Sequence, residues 1–343
     1  MSQATHASLR LGIVEAAPGT KAFGFFETGR THGGFPVHIP LHIVSGSQPG
    51  PLLVVQAGVS GVEIEPAMIL PLLVEALDPA TVRGTLVVVP LMNTSGFEFE
   101  QQNTVWDNRD LHAVGRGKAD GTVSEQMIAR YDADLLSKAD ALIDIRTGAQ
   151  WGYFRYAGVF KTGNTEASLG LAAALGLPQV LLGEPPADSM VYAAAEDGKA
   201  VVTAWIGGGP GLRDFREEDM ARITNAVHNA MRHLGMLAGP LEHLEEDAAT
   251  TVLDAHTFIT VGGGERGPTF IDSSLRGKSV AAGDHLGYVI HPFTGKVVRE
   301  IVAPRPGVVL HAGASWPMLP EDATLAILGD PIPTPASTIS SEG

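Results

Sequence analysis

Apolar and polar positions alternate from Val37 to Val44, the two-residue period of a strand with one buried face. A short apolar run, Leu52–Val55, ends in Ala57-Gly58 and predicts a second strand followed by a turn. Ile64, Met68, Ile69, Leu72, Leu73 and Leu77 then recur at helical spacing; Pro66 suits a first turn and Pro71 predicts a kink. Leu86–Val89 reads as a buried strand. Thr122 and Glu125 form a capping-box pair for a helix through about Ser137, and Ala141–Ile145 is another apolar strand, with Asp144 and Arg146 at its end. Helices near 165–175 and 216–234 alternate with strands near 179–182 and 200–206; the second helix has Asp214 and Glu217 as its capping pair and Gly235 as its stop. This β-α-β-α rhythm predicts an α/β fold, a parallel or mixed sheet covered by helices on both faces.

The pattern changes after about residue 240. Short β-branched runs at Phe258–Val261, Lys296–Val302, Val308–Leu310 and Leu325–Leu328, punctuated by Gly and Pro, predict a small all-β barrel or sandwich over 250–330. The expected organisation is a first domain over 1–240, this β-domain, and a mobile Pro- and Ser/Thr-rich tail over 331–343. With 343 residues, both domains can bury a core. Hydrophobic residues at 44% and charged residues at 18% are an ordinary globular mixture, and no apolar run is long enough to span a membrane. A net charge of −15 without a basic stripe argues against nucleic acid as a partner. No cysteine is present, which excludes disulfides and thiolate metal sites, and the N-terminus lacks a signal-peptide pattern, so a cytoplasmic location is expected.

Three segments carry the chemistry: Ala57-Gly58-Val59-Ser60-Gly61-Val62-Glu63, Asp144-Ile145-Arg146-Thr147-Gly148 and Val202-Thr203-Ala204-Trp205-Ile206-Gly207. In this order they resemble the succinylglutamate desuccinylase/aspartoacylase family, a branch of the zinc-carboxypeptidase fold. Asn93 to Phe97 is similar to that family's Asn-Pro-x-Gly-Phe segment, Asp110-Leu111 begins its Asp-Leu-Asn-Arg motif, and the C-terminal part resembles its β-domain. The resemblance implies a zinc-carboxypeptidase-like sheet with flanking helices. For an intact member it implies a zinc-dependent hydrolase that cuts the amide bond of an N-acylated amino acid or related amine. Such a reaction needs an activated water, which a zinc with three protein ligands and an open position supplies.

The family's ligand positions, a His and a Glu after one strand and a His after another, fall here on Ser60, Glu63 and Arg146, and its general-base position falls on Trp205. A serine hydroxyl is a poor zinc donor and a guanidinium has no lone pair to give. A permanent cation about 4 Å from a dication, at an effective dielectric of about 20, is repelled by roughly 8 kcal/mol. His112 and Ala113 replace the family's substrate-binding Asn-Arg pair. The chain therefore reads as a degenerate member, a pseudoenzyme that acts as a small-molecule-binding, regulatory or partner subunit. Ser60, Glu63, His112, Arg146 and Trp205 are its candidate ligand-binding residues, and Arg146 is expected beside Glu63 as the cation that replaces the metal. No cofactor is expected. The ligand class is an amino-acid-like molecule or organic acid, and an intact homologous subunit or self-association is the expected protein partnership. The alternative is an amide deacylase with a relocated zinc site or metal-free chemistry in the same cavity.

Other features have plainer readings. Ser60 sits where a nucleophile could, but Val62 breaks the Gly-x-Ser-x-Gly elbow, so capping of the next helix is expected of it. His38 and His42 share a strand face, with His32 just before it, and are weighed as a displaced metal site; His228 and His233 read as surface positions. Gly207–Gly211 lacks the Lys-Ser/Thr of a phosphate loop and reads as a tight turn. Lys296 lies in a stretch that resembles the lysine hairpin of biotinyl and lipoyl domains, but Gly295 and Val297 replace its flanking methionines. Trp151, Tyr153, Arg155 and Tyr156 follow Arg146 closely and are candidates for a pocket entrance.

Overall fold

The computed structural model describes residues 7–149, 152–162, 164–184, 186, 188–208, 216–244, 250–260, 267–313 and 324–333. The first part contains β1 (Leu9–Leu11), β2 (Val14–Ala16), β3 (Thr20–Arg30), β4 (Pro36–Ser45), β5 (Gln48–Ala57), α1 (Glu65–Ala76), β6 (Arg83–Val89), α2 (Thr94–Glu98) and α3 (Val123–Asp134). It continues with β7 (Ala141–Arg146), β8 (Tyr153–Phe160), α4 (Thr165–Ala174), β9 (Gln179–Gly183), α5 (Met190–Glu196), β10 (Ala200–Gly208) and α6 (Glu217–His233). The remaining strands are β11 (Thr251–Thr260), β12 (Thr269–Ile271), β13 (Ser279–Val280), β14 (His285–Ile290), β15 (Val297–Val302), β16 (Gly307–Ala312) and β17 (Thr324–Ile332).

Among the described residues, twelve strands make one mixed sheet in the order β13-β16-β17-β11-β9-β8-β10-β7-β5-β6-β4-β3. Its centre is parallel, β6 with β5, β5 with β7 and β7 with β10. Successive residues of these strands enter opposite cores: Leu53 and Val55 pack with α1, α4 and α6, whereas Val54 packs with α3 and α5. Leu86 and Val88 against Val87 and Val89 repeat the division, which explains why these strands read as unbroken apolar runs. The capping box of Thr122 and Glu125 is present at the start of α3.

Several details differ from the expectations. The N-cap of α1 is Ile64 without a side-chain cap, so Ser60 does not cap it; Pro71 lies inside the helix. α6 begins after Arg216, also without a side-chain cap; Asp214 lies outside the described residues. β3, β8 and α5 were not foreseen. Thr251–Leu253 of β11 pair in parallel with Gln179–Leu181 of β9, so the C-terminal strands extend the central sheet while keeping a small core of their own around Leu286, Val289, Val309 and Leu328. β17 runs on to Ile332, with Pro331 opposite Leu253, so the expected tail begins inside a strand; residues 334–343 lie outside the described set. Lys296 is exposed at the turn between β14 and β15. Among the described residues, no helix is long and apolar enough to cross a membrane.

The turn after β5 depends on two glycines. Gly58 adopts φ +60°, the left-handed region. At Gly61 a Cβ would lie 2.1 Å from the carbonyl carbon of Gly96 and 2.4 Å from the amide nitrogen of Phe97, both backbone atoms that cannot swing away. Gly61→Ala is therefore expected to cost about 1–3 kcal/mol through overpacking, measured as a lower urea midpoint with an unchanged slope.

Candidate functional site

The carboxyl ends of β5, β7 and β10 lie side by side, the place where open parallel sheets present loops to ligands. Register sets the neighbours: Arg146 pairs with Trp205, and Trp205 pairs with Tyr156 of β8, giving a row of three side chains across adjacent strands. One step back, Gln56 of β5 pairs with Asp144 of β7.

These positions form a buried polar chain. Tyr131 of α3 donates its hydroxyl to Gln56 Oε1 at 2.8 Å, and Gln56 Nε2 donates to Asp144 Oδ1 at 2.9 Å. Arg146 Nε donates to the other oxygen, Asp144 Oδ2, at 2.8 Å. Asp144 is fully buried, and burial pushes its carboxyl up to about 7 against the hydrogen bond from Gln56. The expectation that Arg146 pairs directly with Glu63 is corrected: no ion pair within 4.0 Å joins them. The reason is local, since Asp144 stands two residues earlier on the same strand face. Arg146 acts on Glu63 only as a longer-range charge.

Glu63 itself is 6% exposed, and its Oε2 has no hydrogen-bond partner. Burial raises its carboxyl to about 8; Arg146 opposes the rise, and Asp144, Asp110 and Glu65 add to it. Ser60 Oγ is also buried and unpartnered, so no base touches it. His112 has no partner at either ring nitrogen, while its backbone N–H donates to Asp110 Oδ1 at 2.9 Å. The guanidinium of Arg146 lies 5.1 Å from the centre of the Trp205 ring, which packs against Phe154 and Tyr156. Behind Phe154, His311 stacks at 4.1 Å, and burial lowers its pKa to about 3.

All five residues singled out from the sequence line one cavity of about 300 Å³, with Gln102, Asp110 and Phe154 among the others. A second cavity of about 450 Å³ shares His112, Arg146 and Trp205 with it and extends over Tyr156, Phe160, Leu181, Val191 and Phe258. Tyr156 is thus a lining residue; Trp151 lies outside the described residues, as do Gly209 to Gly211 of the expected tight turn. Asp110 was legible as part of a motif but was not singled out as a site residue. Phe258 carried no signal, because it reaches the cavity only through the pairing of β11 with β9.

The histidines elsewhere do not assemble. His42 packs on Phe23 at 4.7 Å, His38 lines a separate cavity beside Gln126 and Arg130, and His228 is half-buried. Among the described residues, no group of three or more His, Cys, Asp or Glu side chains is placed to hold a metal ion. At Ser60, Glu63 and Arg146, where the resemblance places the zinc ligands, the donor set is a neutral hydroxyl, a carboxyl raised to about 8 and a guanidinium, which does not fit zinc.

Residues 49–234 match the family model described as the succinylglutamate desuccinylase/aspartoacylase catalytic domain. The chain belongs to that family. It is 26% identical over 237 residues to an N-alpha-acetyl-L-2,4-diaminobutyric acid deacetylase of Halomonas elongata, covering 65% of this chain and 68% of the relative. A succinylglutamate desuccinylase/aspartoacylase of Rhodobacter sphaeroides superposes with a TM-score of 0.79 at 18% identity, over 91% of this chain and 95% of the other. A product-bound ectoine utilization protein of Ruegeria pomeroyi gives 0.77 at 23% identity, over 90% and 95%. These solved structures show the zinc-carboxypeptidase-like α/β fold, and the family is one of deacylase and aspartoacylase type.

Proposed function

We propose that this chain is a family member that has given up zinc hydrolysis and uses the retained cavity to bind a small organic acid or amino-acid-like molecule, as a binding, regulatory or partner subunit. The observation that carries the reading is Arg146, a guanidinium held in the cavity by a buried carboxylate at the position of a metal ligand. A cation fixed there repels a dication and attracts an anion. Trp205 at the general-base position has no lone pair with which to take a proton from water. The retained Gly58 turn, Asp144 and the strand register preserve the shape of the site without the groups that would make hydroxide.

Protein purified without added zinc is expected to carry far less than one equivalent by elemental analysis, and to turn over no member of an N-acyl-amino-acid panel. Ser60→His combined with Arg146→His and Trp205→Glu is expected to raise zinc affinity. One equivalent of zinc in the unaltered chain, with hydrolysis lost in Glu63→Gln, would overturn the reading.

A further inference from the structure

We infer that the ligand of this cavity is a monocarboxylate with an apolar acyl or aryl body, its carboxylate held by Arg146 and its body lodged in the larger chamber. This rests on the proposal that the cavity binds without hydrolysing. Arg146 spends only Nε on Asp144; neither Nη atom makes a hydrogen bond within the described protein, although the side chain is only 16% exposed. Two adjacent N–H donors in a fixed fork match the two oxygens of a carboxylate. His112 stands at the same junction of the chambers with both ring nitrogens unpartnered. A guanidinium with open donors and a buried imidazole without a partner, lining the same two chambers, suit a polar ligand atom there.

The rest of the larger chamber is of a different character. Phe160, Leu181, Val191 and Phe258 offer no charge, and Gly158 leaves space: a Cβ there would meet only Thr203, at 3.7 Å. At about 450 Å³ the chamber is of the size that takes a small organic molecule. The carboxylates of Glu184 and Asp188 lie at its exposed rim, with Lys161 3.4 Å from Glu184. A second anionic end on the ligand would meet these two carboxylates and be disfavoured. In the smaller chamber Asp110 is already held by Gln102 at 3.0 Å and by the N–H of His112, so it leaves the Nη side of Arg146 open.

Isothermal titration calorimetry of the full chain tests this with octanoate, acetate, suberate and octanamide. Octanoate is expected to bind at least tenfold more tightly than each of the others. Gly158→Val narrows the chamber without a backbone clash and is expected to weaken octanoate at least tenfold while leaving acetate unchanged. Asp144→Asn with Arg146→Gln, which removes the pair together, is expected to abolish the preference for octanoate over octanamide. Equal binding of acetate or suberate, or indifference to Gly158→Val, would each overturn the inference. If N-acetylglutamate binds without turnover and octanoate shows no advantage, the inference fails alone. Stoichiometric zinc with turnover of an N-acyl amino acid, or no binding of any of these compounds, removes both the inference and the reading beneath it.

Discussion

Arg146→Met is expected to lower the stability of the fold by about 3–5 kcal/mol in urea unfolding at pH 7. The loss comes from what the substitution leaves behind. Asp144 has no exposure, and its two oxygens are shared between Gln56 and Arg146; without the guanidinium one oxygen faces a low-dielectric interior alone. Met fills the volume of the Arg stem, so packing changes little. Asp144→Asn in the same chain removes the stranded carboxyl, and the double variant is expected to recover most of the deficit. The double-mutant cycle therefore reads the coupling directly. A single-variant loss below about 1 kcal/mol would mean that the pair contributes little to the fold.

The second large effect is one of pH. Glu63 titrates at about 8 in the folded chain against 4.5 for the free side chain. Between these values the folded state holds a proton that the unfolded state has released, so stability is highest below about pH 4.5 and falls until pH passes 8. Desolvation is the main cause, and it acts on a side chain only 6% exposed. A shift of this size corresponds to a decline on the order of 3–5 kcal/mol across the window. Glu63→Gln removes the titration while keeping the shape. Calorimetric unfolding at pH 5, 6.5 and 8.5 is expected to show the parent losing melting temperature with rising pH and the Gln variant losing much less, with the variant ahead at pH 8.5. Parallel curves for the two proteins would show that Glu63 does not titrate in this range.

Much of this site is legible in the chain itself. Ser60, Glu63, Arg146 and Trp205 stand at the ends of predicted strands and His112 follows the Asp110-Leu111 motif; the family resemblance gathers the five, and they do line one cavity. The α/β fold is legible in the local pattern: buried central strands and amphipathic helices leave unbroken and periodic runs. What local sequence cannot supply is the choice among partners. Arg146 had two carboxyl groups within reach of its motif, and strand geometry gives it to Asp144 rather than Glu63. The apolar chamber is illegible for a stronger reason: its walls come from β8, β9, α5 and β11, brought together by long-range pairing that no spacing in the sequence encodes. β8 was missed because Tyr153, Phe154, Arg155 and Tyr156 show no alternation, two faces of a central strand being covered by different neighbours.

The pairing of β11 with β9 gives the cavity a mechanical meaning. His256 and Phe258 on β11 line the same space as Tyr156 and Leu181, so a molecule lodged there would touch both the central strands and the first of the C-terminal strands. By mass action, occupancy stabilises every state in which β11 stays seated on β9 and none in which it detaches. A compound bound there would act as a non-covalent clasp between the central sheet and the C-terminal strands, its tightness of binding and the seating of β11 being one linked quantity.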